Sequence, residues 1–217
     1  MEKIFITGLP RTGTTSVCAA FLELGFKTAH TAYTRETFSQ AQVIADTPIF
    51  NDYETLSELY PNSRFVYLDR AMSSWVPSIR RLLTRMLPRL ETQQGGFNDT
   101  LKRCYFDTFE HLSADNLECD QYLIESYHKH RADCLSFLER SQQTYLILDV
   151  AQPDSLQTLT DFLDIHTDLA STMPNLNQGG KVTAWKQIDH PLKVESTRNG
   201  KADRDSLLYS TAYTNFT

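Results

Sequence analysis

The sequence predicts an α/β protein with a central parallel sheet flanked by helices, and three observations predict it. Short apolar runs recur along the chain as KIFIT (3–7), QVIADTP (42–48), FVYLD (65–69) and YLILD (145–149). Segments with helical spacing of apolar residues separate them. A loop of Gly, Pro and Thr joins the first run to the first helix. Strands that alternate with helices build a parallel sheet, because parallel neighbours need a long crossover that a helix supplies.

Each element follows from its residues. KIFIT is apolar without alternation, as in a strand covered on both faces. Residues 17–24, VCAAFLEL, read as a helix stopped by Gly25. QVIADTP reads as a second strand broken by Pro48, and residues 53–60 as a short helix closed by Pro61-Asn62. FVYLD is the third strand, and a helix starts near Met72. Ile79, Leu82, Leu83, Met86, Leu87 and Leu90 fall on one helical face. ETQQGGFN (91–98) reads as a loop, and residues 100–112 and 120–140 as largely helical. YLILD is the fourth strand, and Pro153 opens a helix to about Leu163. A long helical insertion, about 75–140, thus separates strands three and four. From 166 on the pattern weakens, and about 195–217 is a polar tail. The length of 217 residues fits one domain over 1–217.

Composition narrows the function. The net charge of −6 argues against a nucleic-acid binder but leaves room for a local basic site that takes one small anion. No apolar run approaches the roughly 18 residues of a membrane span, and the N-terminus does not read as an export signal. A cytoplasmic protein without a membrane partner is expected. The four cysteines, Cys18, Cys104, Cys119 and Cys134, form no CxxC pair, and the six histidines form no HExxH. Reduced thiols and no metal site are expected.

The loop GLPRTGTTS (8–16) carries the chemistry. Between a strand and a helix, such a loop turns backbone N–H groups toward an anion, and the helix dipole adds to the attraction. Gly8 and Gly13 permit turns that a Cβ would obstruct. Thr14, Thr15 and Ser16 supply hydroxyls. The glycine spacing is that of the GxxxxGK[ST] loop, yet Thr14 stands where the lysine belongs and the cation sits earlier, at Arg11.

This loop resembles the 5′-phosphosulfate loop of the sulfotransferases, whose pattern is roughly P-[KR]-[ST]-G-T-[TS]. The stretch LYPNSRFVYLDRAMSSWVPSI, the block YHKHRADCLSFL with YLILDVAQPDSLQTLTDFLDI, and the loop PNLNQGG extend the likeness over about residues 3–180. The resemblance implies a three-layer fold of the P-loop nucleotide-hydrolase kind. It implies transfer of a sulfuryl group from 3′-phosphoadenosine 5′-phosphosulfate (PAPS) to a hydroxyl or amine of a small-molecule or carbohydrate acceptor, in line and without metal. Pro10, Arg11, Thr12, Gly13, Thr14, Thr15 and Ser16 would hold the 5′-phosphosulfate. Arg70 and Ser78, eight residues apart after the third strand, would grip the 3′-phosphate. A basic residue further on, Lys181 or Lys186, would complete that site.

The acceptor proton needs a base. Asp46, in Asp46-Thr47-Pro48 and 24 residues before Arg70, matches the position of the family's catalytic histidine. His30 is the alternative, with an ordinary pKa nearer the task. Arg80, Arg81, Arg85 and Arg89 follow Ser78; Arg80 and Arg81 extend the positive field or lie on a solvated face. Two other functions fit less well. A nucleoside or nucleotide kinase would use FVYLD69 and YLILD149 as metal-holding strand ends, but the loop lysine is missing. A nucleotide-binding module without catalysis is the third. STRNGKADRDSLL (196–208) is similar to a segment of adenylate-forming enzymes, and the Asn199-Gly200 pair reads as a local turn.

Overall fold

The computed structural model describes residues 2–92, 96–166, 173–174 and 185–197. Five strands form one parallel sheet: β1 Ile4–Thr7, β2 Thr28–Ala29, β3 Val43–Ala45, β4 Arg64–Asp69 and β5 Thr144–Asp149, in spatial order β2-β3-β1-β4-β5. β1 is central, in register with Val43–Ala45 on one side and Arg64–Tyr67 on the other. The α/β class read from the sequence is the observed one.

Alternation along the strands divides the core into two layers. Ile4, Ile6, Val43, Ala45, Val66, Leu68 and Leu148 pack with Val17, Cys18 and Phe21 of helix α1 (Thr14–Glu23) and with Leu156 and Leu159 of the last helix (Ser155–Phe162). Phe5, Ile44, Phe65 and Tyr67 face the other way. They meet Ile49, Tyr53 and Leu56 of the helix Ile49–Leu59, and Cys134 and Leu138 of the helix Asp120–Arg140. The inner strands are apolar because both faces are covered, whereas on the edge strand β5 Ile147 stays exposed.

Helices α2 to α8 are, in chain order, Arg35–Gln40, Ile49–Leu59, Met72–Leu90, Asp99–Thr108, Ala114–Leu117, Asp120–Arg140 and Ser155–Phe162. α4 to α7 form the expected insertion before β5. A separate cluster unites them around Trp75, Ile79, Leu83, Cys104, Phe109, Leu123 and Tyr127, and Leu9 and Phe50 from the sheet side join it. The insertion therefore packs directly on the glycine loop.

Three expectations are corrected. The four-strand reading misses β2, because two residues carry no periodic signal; β2 is held by β3 and by a parallel bridge from Thr28 to Lys193. Residues 35–40, to which the sequence reading assigns no element, form α2, capped by Thr34 Oγ1 accepting from Thr37 N at 3.2 Å. α3 begins at Ile49 rather than 53, with a non-helical residue, Asp52, inside it that breaks the periodicity. Among the described residues no helix is long and apolar enough to cross a membrane.

Candidate functional site

The glycine loop leaves the carboxyl end of the central strand, where parallel sheets bind ligands. Gly8 turns at φ 101°, and a Cβ there would lie 2.5 Å from Leu68 O, so the loop can pass β4 only without a side chain. Gly13 has φ 112°, and a Cβ there would strike Val150 at 2.5 Å. Gly13 is also the N-cap of α1 and offers no side chain to it. The first-turn N–H groups at Thr14, Thr15 and Ser16 therefore keep their capacity for an anion.

Three successive loop carbonyls are tied to the protein. Leu9 O accepts from Thr12 Oγ1 at 2.7 Å, and Pro10 O accepts from Trp75 Nε1 at 3.0 Å. Arg11 O accepts from Arg70 Nη1. Thr12 thus spends its hydroxyl inside the loop, where it is fully buried. Its N–H turns back on the same Leu9 carbonyl at 3.3 Å, so both of its donors are spent within the loop.

Arg11 adopts φ 75°, a left-handed conformation that costs a non-glycine residue roughly 1–3 kcal/mol. Bonds at both ends hold it there: the carbonyl to Arg70, and Nε donating to Ser78 Oγ at 2.9 Å. Arg70 is fixed in turn. Its N–H lies 2.8 Å from Tyr127 OH and 3.1 Å from Asp69 Oδ1, and its Nε donates to Ser74 Oγ at 3.1 Å. Tyr127 OH donates to Asp69 Oδ1, and Arg131 Nε reaches Asp69 Oδ2 at 2.9 Å. Arg11, Arg70 and Ser78, named from the sequence, thus come together in one cluster.

The cluster is electrostatically uncomfortable by itself. Burial, and then the guanidinium groups of Arg70, Arg85 and Arg81, push the Arg11 pKa down, and only Asp46 opposes them. Burial lowers Arg70 as well, with Arg81 adding to it and Asp149 opposing. A ligand with more than one negative charge would relieve this repulsion. The donor set fits a nucleotide bearing two phosphate-type groups.

Asp46 ends β3 at φ 51°. Its Oδ1 accepts from Thr47 N at 2.8 Å and from Thr47 Oγ1 at 3.1 Å, while Oδ2 has no partner among the described residues. The Asp46 charge reaches Arg11, His30, Tyr33 and Tyr105. His30 lies against the loop hydroxyls. Its Nε2 lies 3.1 Å from both Thr14 Oγ1 and Thr15 Oγ1, and its ring stacks on Trp185 with centroids 5.6 Å apart. Burial lowers its pKa, which Asp46 partly offsets.

Sequence reasoning missed Ser74, Tyr127, Arg131 and Asp69 as supports. Tyr127 and Arg131 lie in the quoted YHKHR block, four residues apart on one helical face, which is the signal that could have marked them. Arg80 turns away, donating to Leu117 O and pairing with Asp120. Of the expected C-terminal contacts, Lys186 is exposed in a 3-10 turn (Trp185–Gln187). Lys181, residues 175–180 of PNLNQGG and residues 198–217 lie outside the described residues. A cleft of about 650 Å³ lined by Glu2, Arg64 and Thr144 lies at the amino ends of the strands, away from this chemistry. Among the described residues no group of three or more His, Cys, Asp or Glu is placed to hold a metal.

A parallel sheet whose central strand feeds an arginine-bearing glycine loop, tied to a second arginine from the next strand, has the donor geometry of an anion-binding α/β protein. A family model described as the sulfotransferase domain matches residues 3–37 and 31–182. The chain belongs to that family, and its chemistry is sulfuryl transfer. No curated protein matches the chain.

Proposed function

We propose that the protein transfers a sulfuryl group from PAPS to a hydroxyl or amine of a small-molecule or carbohydrate acceptor. The observation that carries this reading is the convergence of Arg11, Arg70 and Ser78 on a glycine loop that has no lysine after Gly13. The loop Pro10 to Ser16 would hold the 5′-phosphosulfate, chiefly through the N–H groups of Gly13 to Ser16 and the hydroxyls of Thr14 and Thr15. Arg70 and Ser78 would hold the 3′-phosphate. When bound, the cofactor supplies the activated sulfuryl group.

The chain's own residues do the rest. Arg11 presents a fixed positive charge where negative charge builds on the leaving phosphate, and preorganised charge of this kind lowers the barrier without reorganisation. Asp46 Oδ2 takes the acceptor proton. The geometry favours Asp46 over His30, whose Nε2 already faces two loop hydroxyls and whose ring is covered by Trp185. Asp69, which a kinase would need for metal, is taken up by Tyr127 and Arg131. The transferred group carries less charge than a terminal phosphoryl group, so arginine and N–H donors suffice.

Calorimetric titration without magnesium tests the reading, with 3′,5′-adenosine bisphosphate, adenosine 5′-monophosphate and ATP as ligands. Selective binding of the bisphosphate is expected. Preference for ATP that appears only with magnesium would replace this reading with the kinase.

A further inference from the structure

Helix α4 crosses the glycine loop, and its facing is fixed at two points. Ser74 Oγ accepts from Arg70 Nε at 3.1 Å, and Ser78 Oγ accepts from Arg11 Nε at 2.9 Å. At about 100° per residue, Ser74, Ser78, Arg81 and Arg85 fall within a sector of roughly 60°. Arg81 and Arg85 therefore continue the stripe that already faces the anion site, about 5 and 10 Å further along the axis from Ser78.

Both side chains are exposed, and neither makes a hydrogen bond or ion pair among the described residues. Arg80, by contrast, is tied to Leu117 and Asp120 on another face of the helix. The charges of Arg81 and Arg85 are felt at Arg11, which Asp46 approaches from β3. On α5, Tyr105 packs edge-on against Phe50, just beyond the Asp46-Thr47-Pro48 turn. In a chain with a net charge of −6, four guanidinium groups gather here, with Asp46 opposing them at Arg11 and Asp149 at Arg70. Arg11 and Arg70 are bonded into the loop cluster, which leaves Arg81 and Arg85 outside it.

We propose that the acceptor is itself an oxyanion: a molecule that carries a carboxylate, phosphate or sulfate besides the group it presents to Asp46, and that Arg81 and Arg85 bind that anion. The inference rests on the sulfotransferase reading above. Guanidinium groups suit the task because they stay charged and fork onto paired oxygens. Two of them on successive turns also reject uncharged analogues, which would leave both unsatisfied.

The test is calorimetric titration of the protein saturated with 3′,5′-adenosine bisphosphate, using matched pairs. Glucose 6-phosphate is compared with glucose, and 4-hydroxyphenylacetate with 4-hydroxyphenylethanol. The anionic member of at least one pair should bind at least about tenfold more tightly than its neutral partner. Which pair responds separates a phosphate from a carboxylate. The double variant Arg81→Gln/Arg85→Gln should lose that preference while its affinity for the bisphosphate stays within about twofold. Equal binding within both pairs, binding by none, or an unchanged preference in the double variant overturns the proposal. So does a loss of bisphosphate affinity in the double variant, which would assign the two arginines to the donor. Failure of the wild-type protein to bind the bisphosphate would count against the donor assignment instead. The four titrations repeated without it would still read the arginine pair by the same criteria.

Discussion

Arg11 Nε donates to Ser78 Oγ at 2.9 Å, which joins the loop after the first strand to the helix after β4. The family resemblance pairs Ser78 with Arg70 as the grip on one phosphate. In the fold, Arg70 takes Ser74 and the Arg11 carbonyl, and Ser78 takes Arg11. Two anion subsites that look separate along the chain are thus one hydrogen-bonded unit. A change at either arginine reaches the other through a single bond.

This linkage predicts non-additive mutants. Arg70→Ala should weaken binding of 3′,5′-adenosine bisphosphate by about 2–4 kcal/mol, since charged donors to phosphate are the strong ones. Ser78→Ala should cost about 1–3 kcal/mol, as expected for a bond to a charged group. Because both hold Arg11, the double variant should fall short of the sum by about 0.5–3 kcal/mol. Calorimetry on the four proteins measures the cycle, and strict additivity would mean that the two subsites act separately.

Asp46→Asn should abolish transfer and leave the fold intact. An asparagine Oδ1 can still accept from Thr47 N and Oγ1, so the turn before Pro48 keeps its bonds. What is lost is the proton acceptor at Oδ2, worth about 10²–10⁴ in rate for a general base. Turnover with any accepted substrate, measured beside the melting temperature, checks this. An unchanged rate would pass the role to His30 or to water.

Tyr127→Phe isolates the support behind Arg70. The ring packs on Trp75 at 4.7 Å and would remain, while the hydroxyl that receives Arg70 N and donates to Asp69 would go. A stability loss of about 1–2 kcal/mol is expected. A separate drop in bisphosphate affinity is also expected, because Arg70 loses an anchor next to its phosphate-binding head. Urea unfolding and calorimetry read the two effects apart; a stability loss with unchanged affinity would make Tyr127 a packing residue only.

The legible parts of the protein were those with local signatures. β1, β4 and β5 announce themselves as apolar runs, α4 by its spacing, and the loop by Gly8, Arg11 and Gly13 within a few residues. β2 and α2 were not legible because their signals are long-range. β2 is two residues long and is held by Lys193 and β3. α2 is anchored by Thr37 Oγ1 donating to Glu195 O at 2.7 Å, a contact across 158 residues. The same holds at the site. Arg11 stands out in the glycine loop and the family resemblance names Asp46, but the Asp69–Tyr127–Arg131 support joins β4 to α7 across the whole insertion. No local pattern encodes that contact.

The histidines make the fold sensitive to acid. His130 is 8% exposed, with Nε2 2.7 Å from Phe50 O and Nδ1 3.3 Å from Tyr67 OH. Nε2–H donating to the carbonyl leaves Nδ1 to accept from the tyrosine, which is the neutral ring. Burial pushes its pKa down to about 4. In the unfolded chain the ring takes a proton near 6.5, so the unfolded state gains protons first as the pH falls. Stability is then intact above about 6.5 and falls progressively down to about 4, by roughly 3 kcal/mol at full extent. His30, also lowered by burial, contributes with the same sign. Urea unfolding at pH 7.5 and pH 4 should show the loss. His130→Gln, which can still donate to Phe50 O, should show a smaller one, because the carboxylates titrate alike in both proteins. An equal loss in both would mean that His130 takes up its proton in the folded state as readily as in the unfolded chain.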